Sequence, residues 1–126
     1  MQIENPFHKK EDFNYINLDY IDKICGEDNQ CIKELIDIFL EQIPAFISNI
    51  NKYMDEKNLG GLAKEAHKAK SSVMIFMMDE TEEILKKIHK LANSGNSEDL
   101  PFLVKQLEKK LSGATEELSE YLLLNF

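Results

Sequence analysis

Apolar residues recur at intervals of three and four along most of the chain, which is the spacing of amphipathic helices. The longest apolar stripe begins after Asp28 and predicts a long helix, with Asp28 as its N-cap. Pro44 lies inside this stripe and removes the hydrogen bond to the carbonyl of Leu40, so we expect a kink and not an end. The stripe comprises Ile32, Leu35, Ile36, Phe39, Leu40, Ile43, Phe46, Ile47, Ile50 and Met54.

A second long helix is predicted over residues 59–78, with Asn58 at its start. At about 100° per residue, one side of this helix is apolar and forms a core stripe. His67 points roughly 100–150° away from the centre of that stripe, which places it at the edge of the buried face or outside it. The stripe comprises Leu59, Leu62, Ala66, Ala69, Val73 and Phe76.

Two further helices follow. The acidic residues within 79–83 are typical of a helix N-terminus, and this helix ends within residues 93–96. The last helix begins near Asp99, with Pro101 in its first turn. Gly113 lies inside the last helix and should weaken this helix by roughly 1 kcal/mol relative to alanine. Burial of the apolar stripe of the helix is expected to offset this loss.

The predicted fold is all-α, because no segment alternates with period two and every connection is short. We expect an antiparallel four-helix bundle with a short additional N-terminal helix. This short helix is predicted over residues 17–25, capped by Asn17 and closed by Gly26. Residues 1–16 show no sustained period and are interpreted as an arm whose aromatic side chains rest on the bundle, which itself occupies residues 17–126.

Composition and charge narrow the possible functions. The 126 residues suffice for one domain with one core. The formal net charge of −8, from 23 acidic and 15 basic residues, argues against binding to nucleic acid or to an anionic membrane. All of these basic residues are lysines. Any phosphate group would therefore be bound by flexible ammonium groups and not by the two parallel hydrogen bonds that an arginine side chain donates.

The cellular compartment is predicted from what the sequence lacks. No apolar run is long enough to span a membrane, and the N-terminus has no basic-then-apolar signal, so we expect a cytoplasmic protein. Cys25 and Cys31 match neither a CxxC motif nor a zinc pattern. Each lies among apolar helix positions, so we expect two reduced, buried thiols.

His67 is the candidate reactive group of the chain. Its neighbours along its own strip of helix surface are mostly small: Gly60, Ala63, Ser71 and Met74. The lysines that flank this strip are Lys64, Lys68 and Lys70. An accessible histidine with small residues and ammonium groups around it is suited to meet an anion. The alternative interpretation is a solvated surface histidine among ordinary helix lysines.

A second histidine, His89, stands roughly 100° from the centre of the apolar stripe of its own helix. His67 and His89 are each 11 residues from Met78, so an antiparallel hairpin would bring them to a similar height. Metal centres in bundles use Glu-x-x-His, but Lys64 and Lys86 precede these histidines by three residues, which argues against a metal. There is no nucleophile elbow, glycine-rich phosphate loop or kinase signature. With these reaction types excluded, the remaining possibility is that the neutral imidazole of His67 acts as a nucleophile towards a phosphoryl group.

Three stretches of the sequence are similar to a known family: LDYI at 18–21 with CGED at 25–28, FLEQIP at 39–44, and LAKEAHKAKSS at 62–72. From about residue 17 to 93 the chain resembles a histidine-containing phosphotransfer (HPt) domain, the relay module between receiver domains in multistep two-component signalling. The resemblance implies that His67 is the phosphorylated histidine and that Lys70 neutralises the phosphoryl group. From their positions beside His67, Lys64 and Lys68 are expected to offset further charge on the phosphoryl oxygens.

The resemblance also implies the partners, which are receiver domains of response regulators or of hybrid sensor kinases. It implies a phosphoryl carrier and not an enzyme, with no cofactor on this chain, because Mg²⁺ is expected on the partner receiver domain. We further expect a monomer that binds neither nucleic acid nor membrane, and no metal site.

The sequence departs from the family pattern at three positions. Ser71 and Met77 stand where glycine is usual, and His89 stands where members often carry a glutamine that is hydrogen-bonded near the histidine. His89 is therefore a candidate hydrogen-bond partner of His67. None of these departures removes the nucleophile or Lys70.

Ala63, Ser71 and Met74 are predicted to form an apolar floor on which a receiver domain lands. Met74 lies roughly 20° from the direction of His67, so we expect it to be partly exposed unless bending of the helix turns it inward. The same surface permits a second function, a phosphorylation-independent adaptor that docks a receiver domain or another partner. A purely structural bundle is the third interpretation.

Overall fold

The computed structural model describes residues 13–126, which contain five helices and no strand. The helices are α1 (Asp19–Cys25), α2 (Asn29–Asp55), α3 (Leu59–Ile75), α4 (Asp79–Asn93) and α5 (Leu100–Asn125). Helix α3 packs on α2 and α4, α5 closes the bundle against α2 and α4, and α1 packs on α2. The predicted four-helix bundle with a short N-terminal helix is confirmed.

All five helices contribute apolar side chains to one core. Near its centre, the ring of Phe39 stacks on that of Phe76, with centroids 4.4 Å apart. Helix α2 continues through Pro44, as predicted, because the flanking residues Ile43 and Phe46 are buried and hold both halves of the helix on the core. Within residues 13–126, no helix combines the length and the apolar character needed to cross a membrane.

Side-chain caps fix the starts of the two helices that flank the α2–α3 turn. Asp28 Oδ1 accepts hydrogen bonds from the backbone N–H groups of Gln30 and Cys31, and Asn58 Oδ1 accepts one from Gly61. Both caps are as predicted. Helix α1 begins later than predicted, at Asp19, whose N–H donates to the side chain of Asn17.

The turn between α3 and α4 differs from the sequence prediction. Helix α3 ends at Ile75, three residues before the predicted end at residue 78. Met77 adopts a left-handed backbone conformation, with φ of 53°, and the N–H of Met78 donates to the carbonyl of Val73. The physical reason is burial: the turn carries the side chain of Met78 into the core, where a continued helix would not place it.

The segment before α1 is held along the bundle. The carboxylate of Glu117 on α5 accepts hydrogen bonds from the backbone N–H groups of three successive residues, Asn14, Tyr15 and Ile16. The N–H of Asn17 donates to the carbonyl of Phe76. The rest of the predicted arm, residues 1–12, lies outside the described residues, so the division into arm and bundle stays a prediction.

The expectation of two reduced, buried thiols is wrong. Cys25 and Cys31 form a disulfide, with their Cα atoms 5.6 Å apart, and both residues are only partly buried. The physical reason is the tight turn between α1 and α2. Gly26 adopts a positive φ of 65° and Asp28 caps α2, so the end of one helix meets the first turn of the next.

Candidate functional site

His67 lies on the outer side of α3 and is exposed to solvent. Its orientation follows from the burial of Leu62, Ala66 and Ala69, which turn the opposite side of the helix into the core. The prediction that His67 lies off the core stripe is confirmed. The imidazole is therefore accessible to another molecule.

His89 of α4 lies beside His67. The centroids of the two rings are 5.3 Å apart and the ring planes are inclined by 39°. His89 is partly buried, and its Nε2 lies 3.0 Å from Nδ2 of Asn93, one helical turn further along α4. The prediction that the two histidines lie at one height of the α3–α4 hairpin is confirmed. Asn93 was not among the predicted site residues, although its spacing of four from His89 is the signal that could have identified it.

Three lysines of α3 surround His67 in sequence. Lys64 and Lys68 are exposed and Lys70 is partly exposed. None of these three lysines is paired with a carboxylate among residues 13–126. Their ammonium groups therefore remain available for an external anion.

On the α4 side of the site, one lysine is already engaged. Lys86 Nζ lies 3.9 Å from a carboxylate oxygen of Glu82 and 3.4 Å from one of Glu83. Lys86 is therefore less available to an external anion than the three lysines of α3. In the part of the chain that the structure describes, no group of three or more His, Cys, Asp or Glu side chains is arranged to hold a metal ion.

A family model described as the Hpt domain matches residues 34–119. The chain belongs to the Hpt domain family. The matched region runs from the first part of α2 to the second half of α5 and includes both His67 and His89. Members of this family are phosphocarrier modules of two-component systems and interact with receiver domains. No curated protein and no solved structure shows a significant match to the chain.

The Hpt domain carries an open groove that begins at Ser71, one helical turn after His67 on α3. Ser71 and Met74 of α3 line it, and the exposed fraction of Met74 is 50%. The prediction that Met74 is partly exposed is confirmed, and bending of α3 does not turn it inward. The other lining residues are Tyr20, Ile75, Met77, Asp79 and Glu82.

One predicted member of the docking floor is misplaced. Ala63 is only 3% exposed and belongs to the core, so it cannot contact a partner. The physical reason is that α3 packs on both α2 and α4, which makes its buried face wider than a single stripe. Tyr20 of α1 and Met77 line the same groove as Ser71 and Met74, and both are more than one-third exposed.

Two of the family departures have visible local consequences. Ser71 is exposed in the groove, so its hydroxymethyl group adds to the surface without disturbing the core. Met77 occupies a left-handed position that favours glycine, so the usual residue of the family there has a conformational reason.

Proposed function

We propose that this Hpt domain is a phosphorelay carrier in which His67 accepts a phosphoryl group from the aspartyl phosphate of one receiver domain and passes it to another. The observation that carries the proposal is an exposed histidine on α3 with unpaired lysines around it, in a chain that belongs to this family.

The chemistry requires little from the carrier itself. A ring nitrogen of neutral His67 attacks the phosphorus in line; the N–P bond forms as the P–O bond to the aspartyl carboxylate breaks, and the carboxylate leaves with the electron pair. Lys70 offsets charge on the phosphoryl oxygens, with Lys64 and Lys68 as further cations. Mg²⁺ belongs to the receiver domain, so this chain needs no cofactor and is not itself an enzyme.

The partners are receiver domains of response regulators or hybrid sensor kinases. Their docking floor includes Ser71 and Met74, one and two helical turns after His67, and extends to Tyr20 and Met77. Exposed apolar side chains beside a reactive group suit a transient protein contact, and methionine adapts to more than one partner surface.

We further propose that the protein acts as a monomer in the cytoplasm, without binding nucleic acid or membrane. Stable disulfides are unusual in that compartment. Rapid alkylation of intact cells, followed by mass measurement, therefore tests the localisation through Cys25 and Cys31. Complete oxidation of this pair in growing cells would argue for an oxidising compartment instead.

The deciding experiment incubates the purified protein with phosphorylated receiver domains from its own genome. The expected result is an acid-labile mass gain of one phosphoryl group, which His67→Gln abolishes. The variant should remain folded, with a stability change within about 0.5 kcal/mol, because position 67 is exposed. Continued phosphoryl acceptance by the variant, at His89 for example, contradicts the assignment of His67.

The same experiment separates the carrier from the adaptor. An adaptor would bind receiver domains with equal affinity before and after His67→Gln and would acquire no phosphoryl group. A purely structural bundle would bind none of them.

A further inference from the structure

The pairing of His67 with His89 places a second titratable ring beside the proposed phosphoryl acceptor. We propose that protonated His89 is an additional cation for the phosphoryl group on His67, so that the contribution of His89 to the stability of the phosphohistidine, relative to the free histidine, grows as the pH falls. The inference rests on the proposed function and adds a pH-dependent control to it.

Distance supports a direct electrostatic effect. The two ring centroids are 5.3 Å apart, and a phosphoryl group on His67 adds its negative charge at the edge of one of these rings. Opposite charges within roughly 4–6 Å favour each other's charged forms. The partial burial of His89 limits screening by solvent on one side of its ring.

Asn93 can support both protonation states of His89. Its side-chain nitrogen lies 3.0 Å from Nε2 of His89 and donates to that atom when the imidazole is neutral. When Nε2 carries a proton, rotation of the amide presents the oxygen of Asn93 as an acceptor instead. Asn93 is therefore a positioning residue that holds the ring next to His67 in either state.

Apart from His67, which carries the phosphoryl group, the charged groups around the pair leave His89 as the candidate switch. Those on α3 are Lys64, Lys68 and Lys70, and those on α4 are Lys86, with its partners Glu82 and Glu83, and Lys90. The groove between α4 and α5 is lined by Lys87 and Lys90 of α4 and by Asp99, which directly precedes α5. Lysine and carboxylate side chains ordinarily keep their charge between about pH 6 and 8, whereas histidine ordinarily changes charge in that range.

The direction of the effect follows from linkage. If protonated His89 favours the phosphoryl group, then phosphorylation of His67 must equally favour protonation of His89. In a relay, the contribution of His89 would, on acidification, favour the phosphoryl group on this domain over its return to a receiver aspartate.

The test measures the equilibrium constant for phosphoryl transfer from one receiver domain to the Hpt domain at pH 6 and pH 8. The wild type is compared with His89→Gln, which is uncharged at both values, and with His89→Lys, which is charged at both. Dividing the wild-type constant by that of His89→Gln removes the pH dependence of the receiver and of phosphohistidine itself. Circular dichroism checks that both variants are folded.

We expect this ratio to be about three-fold or more larger at pH 6 than at pH 8, the effect of one unit charge on another at about 5 Å in water. The ratio of His89→Lys to His89→Gln should be the same at both pH values. A wild-type ratio that does not change with pH overturns the proposal. Failure of all three proteins to accept phosphoryl, with receiver binding intact, overturns the proposed carrier function instead.

A second measurement does not depend on the receiver. The C2–H signal of His89 is followed by NMR through a pH titration of the free and the phosphorylated protein. Phosphorylation should move the midpoint of this titration to higher pH by about half a unit or more. Asn93→Ala should reduce the movement, because the ring is then no longer held beside His67. An unmoved midpoint contradicts the proposal.

Discussion

The ring of Tyr15 lies directly over Gly113 on α5. A Cβ atom added at position 113 would lie 2.3 Å from a carbon of that ring, far inside contact distance. Gly113 thus makes room for the segment that precedes α1, and its cost in helix propensity is offset by this packing.

Gly113→Ala should therefore destabilise the domain by about 1–3 kcal/mol, although alanine is the better helix former, because the Tyr15 ring has to move. Urea unfolding measures the change. In a Tyr15→Ala background the same substitution should be neutral or stabilising, by up to about 1 kcal/mol. Equal losses in both backgrounds would mean that Tyr15 is not the obstacle.

Met77→Gly should stabilise the domain by up to about 1 kcal/mol. A left-handed conformation costs a non-glycine residue roughly 1–2 kcal/mol, and glycine avoids this cost. The greater backbone entropy that glycine loses on folding offsets only part of this stabilisation. Met77 is 40% exposed and is not among the side chains that form the core or pack against it, so its removal leaves the core contacts intact. Thermal unfolding measures the change, with Ser112→Gly at an exposed helical position as the control that should lose stability. A lower melting temperature for Met77→Gly would contradict the expectation.

Lys70→Ala should slow phosphoryl transfer to His67 by about ten-fold while leaving receiver docking nearly intact, because a charge that stabilises the transferring group is lost. Rapid-quench kinetics with a phosphorylated receiver domain measure the rate. Lys105→Ala, an exposed lysine on α5, is the matched control. An unchanged rate for Lys70→Ala would assign the compensating charge to Lys64 or Lys68.

Met74→Lys should weaken receiver binding by about ten-fold at an unchanged melting temperature, because half of this side chain is exposed in the groove. Ile38→Lys provides the control, since Ile38 is 51% exposed on α2 and does not line the groove. Calorimetric titration measures affinity. Equal affinity in wild type and Met74→Lys would remove Met74 from the docking floor.

Tyr121→Phe should make the free energy of unfolding less dependent on pH at alkaline pH. Burial, together with the nearby carboxylate of Asp22, raises the pKa of Tyr121 to about 12. In the unfolded chain the phenol has a pKa of about 10. The buried, neutral phenol of Tyr121 therefore contributes its full stabilisation below about pH 10. This stabilisation is lost as the pH rises from about 10 to 12, because the phenol ionises first in the unfolded chain. Urea unfolding at pH 9 and pH 11 tests this: the wild type should lose more stability than the variant. Equal losses would show that Tyr121 does not cause alkaline sensitivity.

The helices and the position of His67 could be predicted because their signals are local. The stripe of α2 and the cap at Asp28 lie within a few residues of what they determine. The height of His89 relative to His67 followed from counting residues on either side of one turn. These features needed no knowledge of distant contacts.

The features that could not be predicted depend on the backbone path or on distant neighbours. The disulfide needs the turn at Gly26 to bring Cys31 back to Cys25. The burial of Ala63 depends on two helices that pack on α3 from different sides. The role of Gly113 depends on a tyrosine almost one hundred residues earlier in the chain.

The surroundings of Tyr121 bring two distant parts of the chain to one place. Its ring lies 6.1 Å from that of Phe13, at one end of the described residues, and 6.3 Å from that of Phe126, at the other. A short peptide linker could therefore join these ends. The exposed connection at residues 94–98 could then be opened to create new termini. A circularly permuted form of residues 13–126 would retain the core that these residues form and the His67–His89 pair, with its new ends between α4 and α5.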